Sequence, residues 1–507
     1  MIKKTLTLIA ALAAALTATA QVKVSVHETA QDQPVIPAEI YGQFSEHLGK
    51  CIYEGIWVGK DSSIPNVDGY RTDVLEAFKA LKVPVLRWPG GCFGDEYHWM
   101  DGIGPQENRK KLVNNNWGST VEDNSFGTHE FLNLCEMLGI EPYISGNVGS
   151  GTVEELAKWV EYMTAKEGSM AELRAKNGRK EPWKVKYLGV GNESWGCGGD
   201  MTADYYSDVY KRYALYARNY SGNRLYKVAC GASDYDYNWT KVMMQNARTK
   251  MDALSLHYYT CKGWTGSKGS ATQFTTDEYY NVLAKTCEIE EVLKNHFAIM
   301  DAYDPDKKVA LILDEWGTWF DVEPGTNPGF LYQQNTMRDA MVAALTLNYF
   351  NRYCKRVKMA NIAQVVNVLQ AIILTEGEKL IKTPTYHVFD LFKEHQNGEA
   401  VYCWSENEKI GSKHGVPMVS SSASVKDGVL TLTLANVSLD EEAEISCDVC
   451  NFAASEVSAR ILTGDAHAHN DFDAPDTVTV KAHSAELKDG KLTVKLPACS
   501  AVEVTLR

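Results

Sequence analysis

The sequence VKYLGVGNESW at residues 185–195 places Glu193 directly after a run of strand-forming apolar residues. A second sequence, VALILDEW at residues 309–316, repeats the arrangement and supplies Glu315. Both patterns predict a buried strand with a carboxylate at its end. Two carboxyl groups that face one cleft are the minimum for glycoside hydrolysis, because one protonates the leaving oxygen while the other attacks the sugar or activates water. This pair of glutamates is the main indication of function in the chain.

The composition is that of a globular protein with a large core. The chain has 507 residues, of which 45% are hydrophobic and 23% are charged, and this length favours more than one domain. The formal net charge of -14 and the lack of a strong Lys/Arg run argue against nucleic-acid binding through a broad basic surface. A neutral or polymeric substrate fits this charge better.

The first twenty residues have the three regions of a cleavable secretory signal. Lys3 and Lys4 precede a mainly apolar stretch at 6–16, and ATA at 18–20 resembles a cleavage site. The sequence therefore predicts a soluble, exported protein that starts near Gln21 and is periplasmic or extracellular. A membrane anchor is the alternative, but the apolar run is shorter than the ~20 residues that a bilayer span needs.

The cysteines form no clear disulfide or zinc pattern. Several of them, such as Cys135 and Cys287, lie inside apolar or helical patterns, so most are expected to be buried thiols. Cys447 and Cys450 have a spacing that could suit metal or disulfide chemistry, but no second Cys/His pair follows at zinc-site spacing, and a structural or incidental role is favoured. No phosphate loop appears, so neither a metal nor an organic cofactor is predicted.

Between Ala38 and about Thr375, apolar or β-branched runs recur, and most are followed by a polar turn and a helical pattern. One such helix runs from Thr152 to Met163, with a capping-box spacing between Thr152 and Glu155. Eight such units predict a (β/α)₈ TIM barrel, in which active-site groups lie at the C-terminal ends of the strands. The predicted strands end near Ile40–Gly42, Val85–Arg87, Tyr143–Ser145, Leu188–Val190, Val228–Cys230, Leu254–Leu256, Leu311–Leu313 and Val365–Asn367.

An open, doubly wound sheet is the rival α/β fold, but the count of eight and the lack of a Gly-x-Gly-x-x-Gly turn favour the barrel. Beyond about Tyr386 the pattern changes to short alternating strands, such as LTLTL at 430–434 and LTVKL at 492–496, each soon after an Asp-Gly turn. These strands predict a C-terminal all-β sandwich. The predicted domains are a signal peptide at 1–20, an N-terminal strand segment at 21–37 that joins the sandwich, a catalytic barrel at 38–385 and the β-sandwich at 386–507.

Several motifs occur in the order in which one family of glycosidases has them. They are YGQFSEHLG at 41–49, RWPGG at 87–91, VEDNSFGTHEF at 121–131, GNES at 191–194, DEW at 314–316, AQVVNV at 363–368 and TPTYHVFDLF at 383–392. Through them the chain resembles the glycoside hydrolase family 51 α-L-arabinofuranosidases over most of its predicted mature length. Asn-Glu after the fourth strand and a glutamate after the seventh mark the wider clan A of retaining glycosidases, and the other motifs narrow the choice to this family.

The resemblance implies that Glu193 is the general acid/base and that Glu315 is the nucleophile, in agreement with the argument from paired carboxylates. Glu193 then needs an apolar or anionic environment that keeps it protonated, whereas Glu315 needs hydrogen-bond donors or cations that keep it ionised. A retaining mechanism predicts carboxyl groups roughly 5–5.5 Å apart, and an inverting mechanism about 6.5–9.5 Å. Taken singly, either glutamate could be a helix cap or an ion-pair partner.

Four further residues are candidates close to the two glutamates. Asn192 can donate its amide to a sugar hydroxyl next to the reacting carbon. Glu46 resembles a family residue that binds sugar hydroxyls, although it could form an internal support with the histidine that follows it. Arg87 could hold Glu315 or Glu46 in the ionised form, with a purely structural ion pair as the alternative. Cys92 is a candidate substrate contact at a position where the resemblance also allows asparagine.

Aromatic side chains in loops after predicted strands add to the candidate site. Trp117, Trp319 and Tyr259 can pack against sugar CH groups, and the phenol can form a hydrogen bond, with aromatic core packing as the alternative. In His257-Tyr258-Tyr259 the motif alignment selects Tyr259 as the tyrosine that faces the nucleophile, with His257 as a supporting residue.

Two amide side chains are expected from the eighth strand. Gln364 resembles a substrate contact of the family. Asn367 is expected to support the strand end.

The predicted function is that of an exo-acting, retaining α-L-arabinofuranosidase that releases terminal arabinofuranosyl groups from arabinan, arabinoxylan or their oligosaccharides. The resemblance supplies the sugar, whereas the two barrel carboxylates alone leave open another clan A glycosidase, such as a xylanase or a β-glycosidase. A non-catalytic carbohydrate-binding protein is a further alternative, against which the two intact glutamates argue. The expected partner is an arabinose-containing polysaccharide or oligosaccharide, neither nucleic acid nor membrane, and the resemblance implies a homo-oligomer.

Overall fold

The structure, a computed structural model, describes residues 19–28, 33–406, 408–411, 413 and 415–507. The predicted signal peptide, up to residue 18, lies outside the described residues. No helix in the described ranges has both the length and the apolar composition that crossing a bilayer requires.

Strands and helices alternate through most of the chain, and strands dominate its last quarter. The strands are β1 (Thr19–His27), β2 (Gly42–Phe44), β3 (Asn66–Val67), β4 (Tyr70–Arg71), β5 (Val85–Trp88), β6 (Leu112–Asn114), β7 (Thr120–Glu122), β8 (Glu141–Gly146), β9 (Tyr187–Val190), β10 (Tyr226–Ser233), β11 (Ala253–Thr260), β12 (Ala310–Thr318), β13 (Val357–Ala363), β14 (Ile373–Glu376), β15 (Lys379–Lys382), β16 (Glu399–Glu406), β17 (Lys409–Ile410), β18 (Val416–Pro417), β19 (Val419–Lys426), β20 (Val429–Asn436), β21 (Glu442–Cys450), β22 (Val457–Thr463), β23 (Lys481–His483), β24 (Ala485–Lys488), β25 (Lys491–Leu496) and β26 (Ser500–Leu506). The helices are α1 (Thr72–Leu81), α2 (Thr128–Leu138), α3 (Val153–Thr164), α4 (Ser169–Lys176), α5 (Ala203–Tyr216), α6 (Tyr237–Ala247), α7 (Thr276–Cys287), α8 (Ile289–Tyr303), α9 (Met337–Arg352) and α10 (Pro384–Phe392).

Within the described chain, eight parallel strands close into a barrel. Their order around the barrel is β2, β5, β8, β9, β10, β11, β12 and β13, and β13 pairs with β2 to close it. Side chains such as Val85, Ile312 and Met359 are fully buried in one cluster of the core. Because strands of a parallel barrel are buried on both faces, they appear in the sequence as continuous apolar runs. The predicted fold class is confirmed.

The barrel helices have amphipathic sequences and local caps. In α3 the Thr152 hydroxyl accepts a hydrogen bond from the main-chain N–H of Glu155 at 3.1 Å, and a cap of this kind stabilises a helix by about 1 kcal/mol. Trp159 and Val160 of the same helix are buried. α2 ends at Gly139, whose φ of 68° is in the left-handed region that glycine favours.

Several predicted strand ends differ from those observed. β10, β11 and β12 continue to Ser233, Thr260 and Thr318, beyond their predicted ends at Cys230, Leu256 and Leu313. The eighth strand ends at Ala363, so its predicted end at residues 365–367 is wrong. The valines that follow Ala363 are fully buried in a loop, and Asn367 has a φ of 61°, which regular strands do not have. Burial, rather than strand geometry, explains the apolar run. The first strand ends at Phe44, slightly later than predicted, because residues 38–41 form a 3₁₀ turn.

A ten-stranded sheet forms the all-β part of the molecule. Its strand order is β23, β22, β26, β20, β19, β16, β1, β21, β25 and β24. β1 lies between β16 and β21, so residues from both ends of the chain contribute to this sheet. Val24, Leu432 and Val504, from three of its strands, are buried in one cluster, as expected for a sheet that packs against itself.

The predicted domain boundary between residues 385 and 386 falls inside α10. Thr383 begins this helix by accepting a hydrogen bond from the main-chain N–H of Tyr386 at 3.4 Å, and Pro384 occupies its first turn. α10 packs against α9, and the next strand of the large sheet, β16, begins at Glu399. Because α10 also packs on β22 and β26, it lies between the barrel helices and the large sheet.

Buried polar side chains join α9 to the large sheet. Asn348 Nδ2 donates to Ser420 Oγ at 3.2 Å, and Asn348 Oδ1 accepts from Ser422 Oγ at 2.7 Å and from Thr433 Oγ1 at 2.8 Å. Buried hydrogen bonds that are all satisfied fix the relative position of the elements that make them. Because α9 also packs on β12, the large sheet supports the barrel strand that carries Glu315.

Candidate active site

Most of the predicted site residues line one pocket at the C-terminal end of the barrel. Glu193 follows β9, Glu315 lies in the last part of β12, and Glu46 follows β2. In TIM barrels this end of the strands carries the functional groups. The pocket has an empty volume of about 320 Å³ and is lined by Glu46, Leu48, Gly91, Cys92, Trp117, Glu193, Tyr259, Glu315, Trp319, Leu331, Gln364 and Leu369.

Glu193 and Glu315 meet across this pocket. One carboxylate oxygen of each, together with a ring nitrogen of His257, lies within 4.8 Å of the others. Covalent glycoside catalysis places its two carboxyl groups roughly 5–5.5 Å apart, whereas inversion needs about 6.5–9.5 Å. The observed proximity therefore matches the covalent, retaining geometry.

Two donors hold Glu315. Arg87 Nη1 donates to Oε1 at 2.8 Å, and the Tyr259 hydroxyl donates to Oε2 at 2.8 Å. Both bonds are buried, so they orient the carboxylate strongly. The neighbouring Tyr258 points away, and its hydroxyl donates to the main-chain carbonyl of Lys285. Tyr259 is thus the tyrosine of this pair that faces Glu315.

His257 links the two glutamates. Its Nδ1 lies 2.9 Å from Glu193 Oε1 and 3.5 Å from Glu315 Oε2, and its Nε2 lies 3.2 Å from Asp314 Oδ1. Burial lowers the pKa of this imidazole, but Glu315, Asp314 and Glu193 outweigh burial and raise the pKa to about 10. His257 is therefore a cation at neutral pH, and it forms a hydrogen bond with Glu193 through Nδ1 and an ion pair with Asp314 through Nε2.

Glu193 combines a raised pKa with a left-handed backbone. Burial raises the pKa of its carboxyl and the charge of Glu315 adds to the rise, while the hydrogen bond from His257 and the charge of Arg87 oppose it. Its φ of 41° is one that non-glycine residues adopt at a cost of ~1–3 kcal/mol. The main-chain carbonyl of Glu193 accepts from the N–H of Gly196 at 2.7 Å, which stabilises this turn.

Asp314 and Arg87 form a buried charge pair below the glutamates. Arg87 Nε lies 3.8 Å from Asp314 Oδ2, which also accepts from the Tyr143 hydroxyl at 2.7 Å. Burial raises the pKa of Asp314, but Arg87 and His257 outweigh it and lower the pKa overall. Burial lowers the pKa of Arg87, but Asp314 and Glu315 raise it overall. Both groups are charged at neutral pH.

Asn192 presents a free amide donor. Its Oδ1 accepts from Arg87 Nη2 at 2.6 Å, and its main-chain N–H donates to Asp95 Oδ2 at 2.8 Å. Nδ2 is buried and has no hydrogen-bond partner among the described residues. A buried donor without a partner costs about 1–3 kcal/mol. A ligand hydroxyl that accepts from Nδ2 would recover this cost.

Glu46 is fixed by three donors. Its Oε1 accepts from Trp117 Nε1 at 2.8 Å and from the main-chain N–H of Phe93 at 3.1 Å. Its Oε2 accepts from Gln364 Nε2 at 2.8 Å. Burial and then the charge of Glu315 raise the pKa of Glu46 to about 7, although the three donors lower it. Glu46 also lines the pocket.

His47 and Asn367 form hydrogen bonds outside the pocket. His47 does not pair with Glu46, because its Nδ1 lies 3.4 Å from Glu122 Oε2 and its Nε2 accepts from Trp88 at 3.1 Å. Asn367 does not line the pocket. Its Nδ2 donates to Thr375 Oγ1 at 2.8 Å and its Oδ1 accepts from the Thr375 N–H at 2.7 Å, so it supports the loop after β13.

Gly91 lies where the side chains of Glu315, Asn192 and Glu46 come together. A Cβ at this position would lie 2.9 Å from Glu315 Oε1, and 3.5 Å from both Asn192 Nδ2 and Glu46 Oε2. The glycines of the RWPGG motif therefore leave the space in which these side chains meet.

Aromatic rings form one wall of the pocket mouth. Tyr259, Trp264 and Trp319 pack edge to face, with ring centroids 6.0 Å, 5.1 Å and 5.5 Å apart. The Lys268 ammonium lies 5.5 Å from the ring centroid of Trp319. Trp264, which the sequence analysis did not single out, is 52% exposed and extends this wall toward solvent. Such faces suit the CH groups of a sugar.

Cys92 lines the pocket as one half of a disulfide with Cys197. A disulfide sulfur has no hydrogen to donate to a sugar, so a substrate contact at Cys92, which stays a prediction, would be a packing contact. Cys447 and Cys450 are free thiols on β21.

Two buried acids were missing from the predicted site. Neighbours in a regular strand point to opposite faces, so Asp314 was not expected beside Glu315. The register between β12 and β13 shifts between Leu313 and Trp316, and this bulge lets both acids reach the same network. Asp95 accepts from the main-chain N–H of Val148 at 2.7 Å. The sequence did contain one indication of Asp314, because an acid directly before Glu315 interrupts the apolar run at 309–313.

Two groups of three side chains each have possible metal-ligand atoms that lie within 4.8 Å of one another. In the first, Glu193, His257 and Glu315, His257 Nδ1 lies 2.9 Å from Glu193 Oε1 and 3.5 Å from Glu315 Oε2. In the second, Cys92, Glu193 and Cys197, the sulfurs are bonded to each other and are not thiolates.

The fold is a (β/α)₈ barrel whose two glutamates lie at the range of covalent catalysis. The pKa of Glu193 is raised, and Glu315 is held by an arginine and a tyrosine. This combination defines a glycoside hydrolase. Comparison with known families narrows this class. Residues 77–281 match the Alpha-L-arabinofuranosidase 1 domain, and residues 314–500 match the Alpha-L-arabinofuranosidase C-terminal domain.

Individual relatives agree with the domain matches. A protein from Bacteroides ovatus named "Intracellular exo-alpha-L-arabinofuranosidase" is 60% identical over 94% of both chains. The crystal structure of a GH51 arabinofuranosidase from Xanthomonas axonopodis pv. citri is 46% identical, with a TM-score of 0.94 over 96% of this chain and 100% of that one. An arabinose complex of the Thermotoga maritima α-L-arabinofuranosidase is 31% identical, with a TM-score of 0.82 over 96% and 99% of the two chains. The chain belongs to glycoside hydrolase family 51, the α-L-arabinofuranosidases, as the sequence predicted.

The predicted export is contradicted by one of these relatives. The Bacteroides ovatus protein, at 60% identity, is named intracellular. The export prediction rested on a short apolar run after Lys3 and Lys4, and that composition pattern was an insufficient basis for a location.

Proposed function

We propose that this chain is an exo-acting, retaining α-L-arabinofuranosidase in which Glu315 is the nucleophile and Glu193 is the general acid/base. The observation that carries the proposal is the meeting of the two carboxylates within 4.8 Å in one pocket. Their environments differ in the required sense, because Glu315 accepts two hydrogen bonds while burial raises the pKa of Glu193.

The reaction has two displacements. In the first, a Glu315 oxygen attacks the anomeric carbon, the bond from that carbon to the leaving oxygen breaks, and Glu193 gives its proton to the leaving oxygen. An arabinofuranosyl ester of Glu315 results. In the second, Glu193, now a carboxylate, takes a proton from water, the water oxygen attacks the anomeric carbon, and Glu315 leaves as a carboxylate.

Three polar groups support the oxocarbenium-like transition state. Asn192 Nδ2, which has no partner among the described residues, is placed to donate to a hydroxyl next to the reacting carbon. Glu46 and Gln364, which are joined by a 2.8 Å hydrogen bond, are placed to bind further hydroxyls. Arg87 positions both Glu315 and Asn192 because it donates to each of them.

The small, walled pocket favours attack at a chain end, and this supports exo action. The substrate class is arabinan, arabinoxylan or their oligosaccharides with a terminal arabinofuranosyl group. The Bacteroides ovatus relative, named an exo-alpha-L-arabinofuranosidase, supports the same assignment. The proposal includes a homo-oligomeric state, which rests on the family resemblance. Light scattering of the purified protein measures the number of subunits.

A panel of nitrophenyl glycosides, followed by the anomeric configuration of the first-formed sugar, tests the proposal. We expect release from the α-L-arabinofuranoside at least about 100-fold faster than from β-xyloside or β-glucoside, since one misplaced hydroxyl costs several kcal/mol in a hydrogen-bonding site. Proton NMR should show the α anomer first. The β anomer would exclude the covalent mechanism, and preferred cleavage of a β-xyloside would favour a xylanase or β-glycosidase instead. Binding without any turnover would favour a carbohydrate-binding protein.

A further inference from the structure

The Cys92–Cys197 disulfide encloses the carboxyl group of Glu193. Cys92 begins the 3₁₀ turn after β5, and Cys197 lies in the loop after β9, so the bond joins two neighbouring barrel loops. Glu193 Oε2 lies 3.9 Å from Cys92 Sγ and 3.5 Å from Cys197 Sγ. Its other oxygen, Oε1, contacts His257 at 2.9 Å. The two sulfurs therefore form the contact surface of the oxygen that His257 leaves free.

Main-chain hydrogen bonds hold the loop around Cys197 independently of the disulfide. The N–H groups of Gly196 and Gly198 donate to the carbonyl of Glu193 at 2.7 Å and 3.1 Å, and the N–H of Asn192 donates to Asp95 Oδ2 at 2.8 Å. Cys197 itself is exposed. Loss of the disulfide would therefore keep the backbone of the loop and act on the two sulfurs that contact Glu193 Oε2, because sulfurs that are no longer bonded to each other separate.

We propose that Cys92 and Cys197 are positioning residues for Glu193, and that reduction of their disulfide by a dithiol weakens proton donation to the leaving group. This inference rests on the proposed function, since it assigns Glu193 the acid role. Proton donation depends on placement of the acid within hydrogen-bond range of the leaving oxygen, and small displacements reduce it strongly.

The chemistry of the switch balances with a dithiol as the reductant. A thiolate of the dithiol attacks the exposed Cys197 Sγ, and the bond to Cys92 breaks so that Cys92 leaves as a thiolate and takes up a proton. The second thiol of the reductant then closes a disulfide within the reductant and releases Cys197 as a thiol. Two electrons pass to the protein, and the dithiol is oxidised. The other ten cysteines are free, so this is the only disulfide among the described residues that a dithiol can open.

The test compares two arabinofuranosides that differ in their need for an acid. Dithiothreitol treatment of the wild-type protein should lower kcat/KM about tenfold for a methylumbelliferyl or natural oligosaccharide leaving group, and less than about twofold for a dinitrophenyl group, which needs little protonation. Cys197→Ala should have the same leaving-group dependence as the reduced wild type and should not respond to the reductant. Cys450→Ala, which removes a half-buried thiol far from the disulfide on β21, should behave as the wild type in both states.

Each other result overturns the inference. Equal losses on both substrates would show that the disulfide acts on folding alone, and thermal unfolding of both states measures that effect. No change on reduction, with loss of the disulfide verified by alkylation and mass spectrometry, would show that Glu193 does not depend on the bond. A response that persists in Cys197→Ala would assign the effect to another cysteine. Absence of arabinofuranosidase activity in every state would instead overturn the proposed function.

Discussion

His257 Nδ1 lies 2.9 Å from Glu193 Oε1, so a buried imidazolium contacts the carboxyl that is proposed to carry the catalytic proton. A cation at this distance favours the charged carboxylate, whereas burial and the charge of Glu315 favour the protonated form. His257 also contacts the carboxylate of Asp314, whose negative charge partly offsets the positive charge of the imidazolium. The pKa of Glu193 is therefore set by opposing effects, and removal of one neighbouring group should shift this pKa in a direction that the charge of that group determines.

His257→Asn should move the alkaline limb of the pH–rate profile to higher pH. The protonated imidazole lowers the pKa of Glu193, so its removal raises that pKa further, and Glu193 then keeps its proton to a higher pH. The measurement is kcat/KM against pH on an arabinofuranoside with a poor leaving group. A limb that stays in place or moves to lower pH would contradict the assignment of Glu193 as the group behind that limb.

Glu315→Ala should reduce turnover by about 10⁴-fold or more, because the covalent step loses its nucleophile. Circular dichroism and thermal unfolding should show a folded protein, since Arg87 keeps Asp314 and Asn192 as partners. Glu76→Ala, an exposed glutamate on α1, is the matched control and should retain wild-type rates. Substantial residual turnover of Glu315→Ala would remove Glu315 from the nucleophile role.

Glu193→Ala should lose activity according to the leaving group. We expect a loss of about 10²–10⁴-fold on natural oligosaccharides, where the leaving oxygen needs a proton, and a much smaller loss in the first step on dinitrophenyl arabinofuranoside. Pre-steady-state release of the phenol separates this step from hydrolysis of the ester. Losses of equal size on both substrates would argue that Glu193 is not the acid.

Arg87→Lys should lower kcat/KM by about 10- to 150-fold, because hydrogen bonds to charged groups contribute ~1.5–3 kcal/mol and one ammonium cannot bridge the same partners. Arg87 donates to both Glu315 and Asn192, so the loss should appear mainly in kcat. Arg179→Lys is the control, since Arg179 makes a comparable two-bond pair with Glu136 on the surface. Similar losses in the two variants would indicate a general effect of the substitution.

Tyr259→Phe should reduce kcat by about 10-fold or more, because it removes the donor to Glu315 Oε2 and leaves the ring in place. Tyr258→Phe provides the comparison within the same strand, as its hydroxyl bonds to a main-chain carbonyl outside the pocket. Steady-state kinetics of the pair on one aryl arabinofuranoside decide the assignment. A larger loss for Tyr258→Phe would reverse it.

The barrel could be predicted because its strands are buried, apolar runs and most of them are followed by polar turns. Glu193 and Glu315 stand at strand ends, and the sequence alone places both at one end of a TIM barrel. The site residues beyond this pair came from the motif resemblance, which named Glu46, Tyr259 and Gln364 without showing how they contact one another. Their hydrogen bonds depend on side-chain directions that no periodicity encodes.

Other features depend on irregular geometry that sequence patterns do not show. Asp314 joins the site only because a bulge interrupts the alternation of β12. Asn367 lies in a buried loop whose valines resemble a strand. The partner of Cys92 could not be predicted either, since Cys197 lies 105 residues further along the chain and many pairings of the cysteines were compatible with the sequence.

Gly91 and Trp264 differ in what a substitution would disturb. An added methyl at position 91 would lie 2.9 Å from Glu315 Oε1, the oxygen that accepts from Arg87 Nη1, so a side chain there would push the carboxylate out of its hydrogen bond. Trp264 is 52% exposed and contacts Tyr259 and Trp319 only through ring edges and faces. Changes in glycan preference can therefore be engineered at the exposed ring without rebuilding the centre of the pocket.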